Sequence, residues 1–588
     1  MCANRFSLPA GFDPRVLLSE RLTDPRKNAD KKFDRSMHSL GATSGSSVSH
    51  NSRMWMIAAL AVVVIISLPN LQYPIGRDQA TYCVIAESLF KGKHLYRDLW
   101  DNKPPGIFYL YIPIVRLVGR ATWLVGAVDL VCVVAAALGT FYFCARYLGP
   151  QAGALAAVLY AYWHDRKGYI NAAQPEVFLV LFVFAAFFLV ARGGRCSKWR
   201  SFAAGLALGA AFWIKYNALA FLPLVTLLPY LDTSCLDLPS PRLALTISWR
   251  AWLARTAALL GGLATTIVGV LGWFYVSGAW PAMKEVQFEV LPRYGAMVVQ
   301  RTPQYFIWAL RQVNFNLGNW PEAGVALALL IAWRCRDFHR TDPIFIAALL
   351  EFLVTASQAR FNAYSFETFF PFLAMLWAYV VVRVFDGFHA ISQRLARHGW
   401  ATARVGVWLV FINCAYFPLP KPTMRQVERY QGFEKWWRNP QKSYQNYWWS
   451  LGIEHLGGEF QVVHYLKDHS VQGDQVYVWG TAPLIYFLSG RECPSRFVSN
   501  LGLISDWTPP AWRDELVRTL KTKQPRFIVV ERRDAIPAVS GTTLDSQEYL
   551  VRYPAFLRLL NRGYLREKSF RYFTVYSRRN GAAPGGAS

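Results

Sequence analysis

Apolar and polar blocks alternate along the chain up to about Phe417, and the pattern then turns into that of an ordinary water-facing sequence. A membrane span needs about 20 mostly apolar residues. Segments of this kind run Met54–Leu71, Thr122–Phe143, Gly149–Trp163, Pro175–Ala191, Phe202–Ile214, Ala218–Leu231, Ala257–Val276, Ala323–Trp333, Pro343–Thr355, Phe370–Val384 and Val405–Phe417. They predict a polytopic α-helical membrane protein of about eleven spans.

The polar blocks orient these spans. With the N-terminus inside, the inner loops hold Arg146; Arg192, Arg195, Lys198 and Arg200; Arg242, Arg250 and Arg255; Arg334, Arg336 and Arg340; and Arg383, Arg394, Arg397 and Arg404. The outer loops, Gln72–Ala121, His164–Gln174, Gly278–Glu322 and Gln358–Glu367, are longer on average and mix acids with bases. This is the positive-inside bias. An odd number of spans then places the chain beyond Leu419 outside.

That last part reads as α/β. "QVYVWG" (Gln475–Gly480) and "RFIVVE" (Arg526–Glu531) are short β-branched runs of the kind found in buried strands, and "FRYFTVYSRR" alternates like a final strand. Helical spacing in "AWRDELVRTLKTK", and in "PAFLRLLNRGY" with a stop at Gly563, separates them. Strand–helix–strand order favours a mostly parallel sheet. The expected organisation is a basic cytoplasmic tail (1–52), a multi-span membrane domain (53–418), an outer α/β domain (419–578) and a flexible tail (579–588).

Composition narrows the function. Of 588 residues, 53% are hydrophobic and 17% charged, with a formal net charge of +26. The basic residues fall between apolar blocks and form no basic module, which argues against nucleic-acid binding. The nine cysteines include no CxxC pair, so redox and metal motifs have no support. The first apolar block starts near Met54, too late for a cleaved signal peptide, so the first span is read as uncleaved.

Chemistry concentrates in the first outer loop, in "GRDQATYCVIAESLFKGKHLYRDLWDNKPPG" (Gly76–Gly106). Gln79–Lys91 can form one helix with Tyr82, Ile85, Leu89 and Phe90 on one face, too short to span and patterned for the interface. Gly92 is its stop. Asp78 before it is either a helix N-cap or a functional carboxylate. Pro104 or Pro105 can begin the next helix. Lys103 then sits beside a helix N-terminus, where an anion is favoured; the alternative is a snorkelling lysine. A carboxylate and such a cation at a membrane surface suit a reaction in which a lipid phosphate leaves and an acceptor is deprotonated.

The same segment resembles the first large outer loop of C-type membrane glycosyltransferases that use polyprenyl-phosphate sugars, among them protein O-mannosyltransferase-like enzymes and the lipid A aminoarabinose transferase. Their pattern is Asp-Glu, a Tyr four residues past the Asp, a Gly at the helix end, then Lys-Pro; Asp78, Tyr82, Gly92 and Lys103-Pro104 match it. Gln79 stands where the second acid is usual. "NAAQPEVFLVLF" (Asn171–Phe182) resembles the family's second acidic motif, with Glu176 as the acid. "GAAFWIKYNALAFLPL" (Gly209–Leu224) resembles its Gly…Lys…Leu-Pro motif, with Lys215 outward. "FEVLPRY" (Phe288–Tyr294) offers Arg293, and "RFNAYSFETFFPFLAM" (Arg360–Met375) resembles the late Tyr-Phe…Pro motif without its His. "VYVWGTAPLIYFLSGRECPSRF" (Val476–Phe497) is similar to the C-terminal domain of bacterial members.

The resemblance implies an inverting glycosyltransferase of the cytoplasmic (inner) membrane. Asp78 and Glu176 would be catalytic, Lys103, Lys215 and Arg293 would bind the donor phosphate, and Tyr82, Arg360 and Tyr364 would line the substrate. The acceptor would be an envelope glycan, a lipid such as lipid A or lipopolysaccharide, or a protein. No nucleotide-binding fingerprint is present and no cofactor or metal is required, although an acidic pair near phosphate can hold a divalent cation. The rival class is a transporter or flippase of lipid-linked sugars, which calls for ionisable residues near the membrane midplane. "EKWWRNPQKSYQNYWWS" (Glu434–Ser450) reads as an aromatic interfacial belt, with an acceptor platform as the alternative.

Overall fold

The computed structural model describes residues 47–166, 168–191, 197–231, 248–298, 302–305, 307–308, 311–312, 321–358, 363–416, 424–439 and 455–579. The chain divides into two units, Met1–Trp55 and Met56–Ser588. Residues 47–55 open the helix Ser47–Ser67.

Over their described residues, the eleven apolar segments fall mainly on helix, from Ser47–Ser67 to Ala401–Tyr416. By length and composition, four helices can cross a membrane: Asn51–Gln72, Leu124–Leu148, Trp249–Val276 and Phe370–Arg397. Shorter apolar helices are Gly106–Val118, Pro175–Val190, Tyr216–Leu231 and Ala401–Ile412. Pro175–Val190 is apolar on every side, and most of it is buried among its neighbours, as such a helix must be. Helices Lys198–Ile214 and Trp249–Val276 touch through glycines. A Cβ on Gly205 would strike the Leu259 carbonyl, and one on Gly262 would strike the Phe202 carbonyl. Small residues allow this approach in a setting where lipid supplies no hydrophobic drive between helices.

The C-terminal α/β region carries a four-stranded sheet of order β1-β2-β4-β3, with β1 Val476–Trp479, β2 Phe527–Glu531, β3 Tyr564–Ser569 and β4 Phe573–Arg578. It is mixed, where the element order led to an expectation of mostly parallel. Only β1 and β2 pair in parallel, joined through the helix Ala511–Lys523; β4 runs antiparallel to both β2 and β3. The reason is β3, which follows the helix Pro554–Gly563 without a loop and forms a hairpin with β4. Its sequence YLREKS buries only Tyr564, so it lacks an apolar alternation, and its charges protect the sheet edge.

This region docks on the first large loop. Trp100 donates its backbone N–H to the Arg496 carbonyl at 2.8 Å. The Arg496 guanidinium lies 4.8 Å from the Phe497 ring and 5.0 Å from the Trp512 ring, and it grips Glu515 through two bonds of 2.8 and 2.9 Å. Lys91 reaches Glu492 at 2.9 Å.

Near the carboxyl end of β2, Asp534 is buried, and burial, with help from Glu531, pushes its carboxyl up to about 7 against the pull of Ser546 and Arg77. The folded state therefore holds a proton that the unfolded chain releases near pH 4. Stability falls as pH rises from about 4 to about 7 and is then flat, by up to about 4 kcal/mol for this one group. Asp534→Asn is expected to raise the unfolding temperature at pH 8 and to do so much less at pH 5, as read by thermal unfolding in nanodiscs. An equal effect at both pH values would contradict the assignment.

Candidate active site

The helix carrying Asp78 spans Arg77–Phe90, starting two residues earlier than its sequence suggests, and Gly76 is its N-cap with no side-chain cap bond. Asp78 lies inside the first turn and is therefore not the cap. The helix is also less interfacial than its pattern implies: Gln79 through Ala86 are buried, and Phe90 is among the exposed residues at its end. Lys91 and Gly92 end it as expected, with Gly92 at φ +86°.

Lys103 reaches Asp78 from the following loop, Nζ to Oδ1 3.5 Å. Its backbone is pinned on both sides. Asp101 Oδ1 accepts its N–H at 2.8 Å, and its carbonyl accepts from the Tyr96 hydroxyl at 2.8 Å and from Gln287 Nε2 at 3.2 Å. Pro104 and Pro105 then lead into the helix Gly106–Val118. The ammonium sits 5.2 Å from the centre of the Tyr82 ring. Burial would lower its pKa, but Asp78 above all, then Tyr82, Asp101 and Tyr364, outweigh burial and hold it well above the ordinary lysine value. Lys103 is a permanent cation in a part-open position.

A second pair lies beside the first. Glu176 is in the first turn of Pro175–Val190 and 2% exposed; Lys215 ends the helix Lys198–Ile214 in extended conformation, with Nζ 2.5 Å from Glu176 Oε1. The other oxygen, Glu176 Oε2, is buried with no hydrogen-bond partner among the described residues. Gln174, two residues upstream of Glu176, faces the first pair: it donates to Asp78 Oδ2 at 3.5 Å and accepts from the Tyr82 hydroxyl at 3.1 Å. Gln79, where the resembling family has an acid, donates to the Ala172 carbonyl at 2.7 Å, which an ionised acid could not do.

The structure thus brings Asp78, Lys103, Tyr82, Glu176 and Lys215 together, with Tyr364 near enough to act on Lys103. Tyr82 is wholly buried and seats Lys103 and Gln174 without presenting a surface. Arg293 is exposed on the short helix Leu291–Val298 and has no ion pair or hydrogen bond among the described residues. Arg360 and residues 440–450 of the aromatic stretch lie outside the described residues. Within that stretch, Trp436 is buried and Trp437 exposed on the helix Met424–Arg438.

Three residues went unread in the sequence. Asp129 and Glu351 are fully buried acids inside predicted spans, and an acid within an apolar run is itself a signal. Glu351 accepts from Thr368 and lies close enough to feel both Lys215 and Glu176. Gln174 stands in the quoted Asn171–Phe182 motif, but an amide gives no comparable signal. Asp129, His164 and Asp165 are placed closely enough to share a metal ion. Their oxygens are taken by donors instead: Asn70 at 2.9 and 2.7 Å, Ser67 at 2.8 Å and the Ala173 N–H at 2.8 Å. The group reads as a hydrogen-bond network.

Residues 102–273 match the family model described as dolichyl-phosphate-mannose-protein mannosyltransferase. That span includes Lys103, Glu176 and Lys215 and excludes Asp78 and Arg293. No curated protein matches the chain significantly. Among solved structures, ArnT from Cupriavidus metallidurans bound to undecaprenyl phosphate is similar at 16% identity and TM-score 0.55, over 91% of this chain and 98% of that one. Its apo state is similar at 16% identity and TM-score 0.54, over 92% of this chain and 100% of that one. In the family model it matches and in its fold, the chain resembles the C-type membrane glycosyltransferases that use polyprenyl-phosphate sugars.

Proposed function

We propose that the protein transfers a sugar from a polyprenyl-phosphate-sugar donor to an acceptor at the outer face of the cytoplasmic membrane. The observation that carries this reading is the presence of two ion pairs, Asp78–Lys103 and Glu176–Lys215, with Gln174, two residues before Glu176, bonded to Asp78. Undecaprenyl phosphate in the similar ArnT structure supports the donor class. In a single displacement the acceptor nucleophile attacks the anomeric carbon and loses its proton to Asp78. The bond from that carbon to the phosphate oxygen breaks, and polyprenyl phosphate leaves with the electron pair. One such step inverts the anomeric centre. Lys103 and Lys215 receive the phosphate charge through charge-assisted hydrogen bonds, with Arg293 as a further ligand on donor binding. Glu176 orients Lys215.

The orientation has support of its own. Loops that the Lys/Arg bias places outside meet one another: Gln287 on Lys103, Asn171 on Glu367, and Arg496 on the Tyr96 carbonyl. Arg383 pairs with Asp337, both on the inner side of that scheme. Mass spectrometry of envelope glycans with and without the gene tests the proposal. One sugar missing from one acceptor is expected; an unchanged glycan profile, with lipid-linked sugar unchanged as well, would contradict it.

A further inference from the structure

The turn that carries Gln174 and leads into Glu176 is held in an unfavourable shape. Ala173 has φ +50°, the left-handed region that a residue with a Cβ avoids. Three buried side chains hold its peptides. Asp129 Oδ1 accepts the Ala173 N–H at 2.8 Å, the Tyr111 hydroxyl donates to the Ala173 carbonyl at 2.9 Å, and Gln79 holds the Ala172 carbonyl at 2.7 Å. Asp129 is itself fixed. Its Oδ2 accepts from Asn70 at 2.9 Å and meets His164 Nε2 at 3.1 Å, while the other His164 nitrogen meets Glu367 Oε1 at 2.8 Å. Glu367 accepts from Asn171 at 3.1 Å at the start of the same turn, and it lies three residues after Tyr364, which acts on Lys103.

We infer that Asp129 is a positioning residue for the transfer: by fixing the left-handed Ala173 turn, it sets Gln174 against Asp78 and Glu176 against Lys215. The inference rests on the proposed glycosyl transfer. Asp129 touches neither ion pair and acts through the backbone. Relaxing Ala173 toward ordinary φ rotates the peptide before Gln174 and displaces the chain leading to Glu176, and a misplacement of about 1 Å can cost about 100-fold in rate. His164 and Glu367 extend the same brace to the turn that bears Tyr364.

The test uses the full chain in nanodiscs. In Asp129→Asn, whichever way the amide faces, one N–H is turned toward a donor or the Ala173 N–H loses its acceptor. Hydrogen exchange across residues 171–177 is expected to rise about tenfold or more, with thermal unfolding near that of the wild type, and turnover to fall about 100-fold. Ala173→Gly makes the left-handed shape accessible without the brace, so adding it to Asp129→Asn should restore turnover at least fivefold. Tyr111→Phe, which removes one hydroxyl and keeps the carboxylate, should raise exchange in the same segment; it serves if Asp129→Asn does not fold. Unchanged exchange over 171–177 in the variants overturns the inference, and so does a loss of turnover that Ala173→Gly leaves unrepaired. Absence of transfer by the wild type, with exchange altered as expected, overturns the proposed function and the role in transfer while leaving the brace itself established.

Discussion

Asp78→Asn is expected to lower turnover by about 10²–10⁴-fold, the range a positioned general base supplies, while the protein still folds. The substitution is nearly isosteric and removes the negative charge together with the ability to take a proton. Because Gly76 is the N-cap, no capping bond is lost. The first-turn charge contributes about 0.3–1 kcal/mol at most to the helix. Lys103 loses its 3.5 Å partner but keeps its pinned backbone, and Gln174 can still bond an amide oxygen. Single-turnover transfer and thermal unfolding, measured side by side, read the two effects separately. Near-wild-type turnover in Asp78→Asn would remove the base and leave the carboxylate as a partner for Lys103 alone.

Lys103→Ala should cost about 10²–10³-fold in turnover, the loss found when one donor to a developing negative charge is removed. Asp78 and its neighbours keep the ammonium charged well beyond neutral pH, so the effect should not vary between pH 6 and 8. The loop does not depend on the side chain: Asp101, Tyr96 and Gln287 hold its backbone. Truncation therefore tests charge with little disturbance of fold. Donor binding by titration with a polyprenyl-phosphate sugar should weaken alongside turnover. Unchanged rate and affinity would return Lys103 to an interfacial lysine.

The helices were legible because burial in lipid or in a bundle demands apolar runs whatever the tertiary detail, and over their described residues these runs proved mainly helical. Asp78, Lys103, Glu176 and Lys215 were legible because charge beside apolar runs is costly and hence conspicuous. The links between them were not. Gln174 is a neutral amide that donates to Asp78 and accepts from Tyr82, Gln79 is one that donates to the Ala172 carbonyl, and only the fold shows what they face. Ala173 carries no sign of its left-handed backbone. β3 was hidden because an edge strand needs no apolar face. The N-cap reading of Asp78 failed by two residues, within the usual uncertainty of helix ends.

The central claim is that this chain breaks the donor's sugar–phosphate bond. Purified protein in nanodiscs, given a polyprenyl-phosphate sugar labelled in the sugar together with an extract of envelope acceptors, should release free polyprenyl phosphate in step with label appearing on one acceptor. Asp78→Asn run in parallel should release almost none. Label that crosses the bilayer still attached to its polyprenyl phosphate, with no free lipid phosphate formed, would contradict the account and identify a carrier of lipid-linked sugars instead.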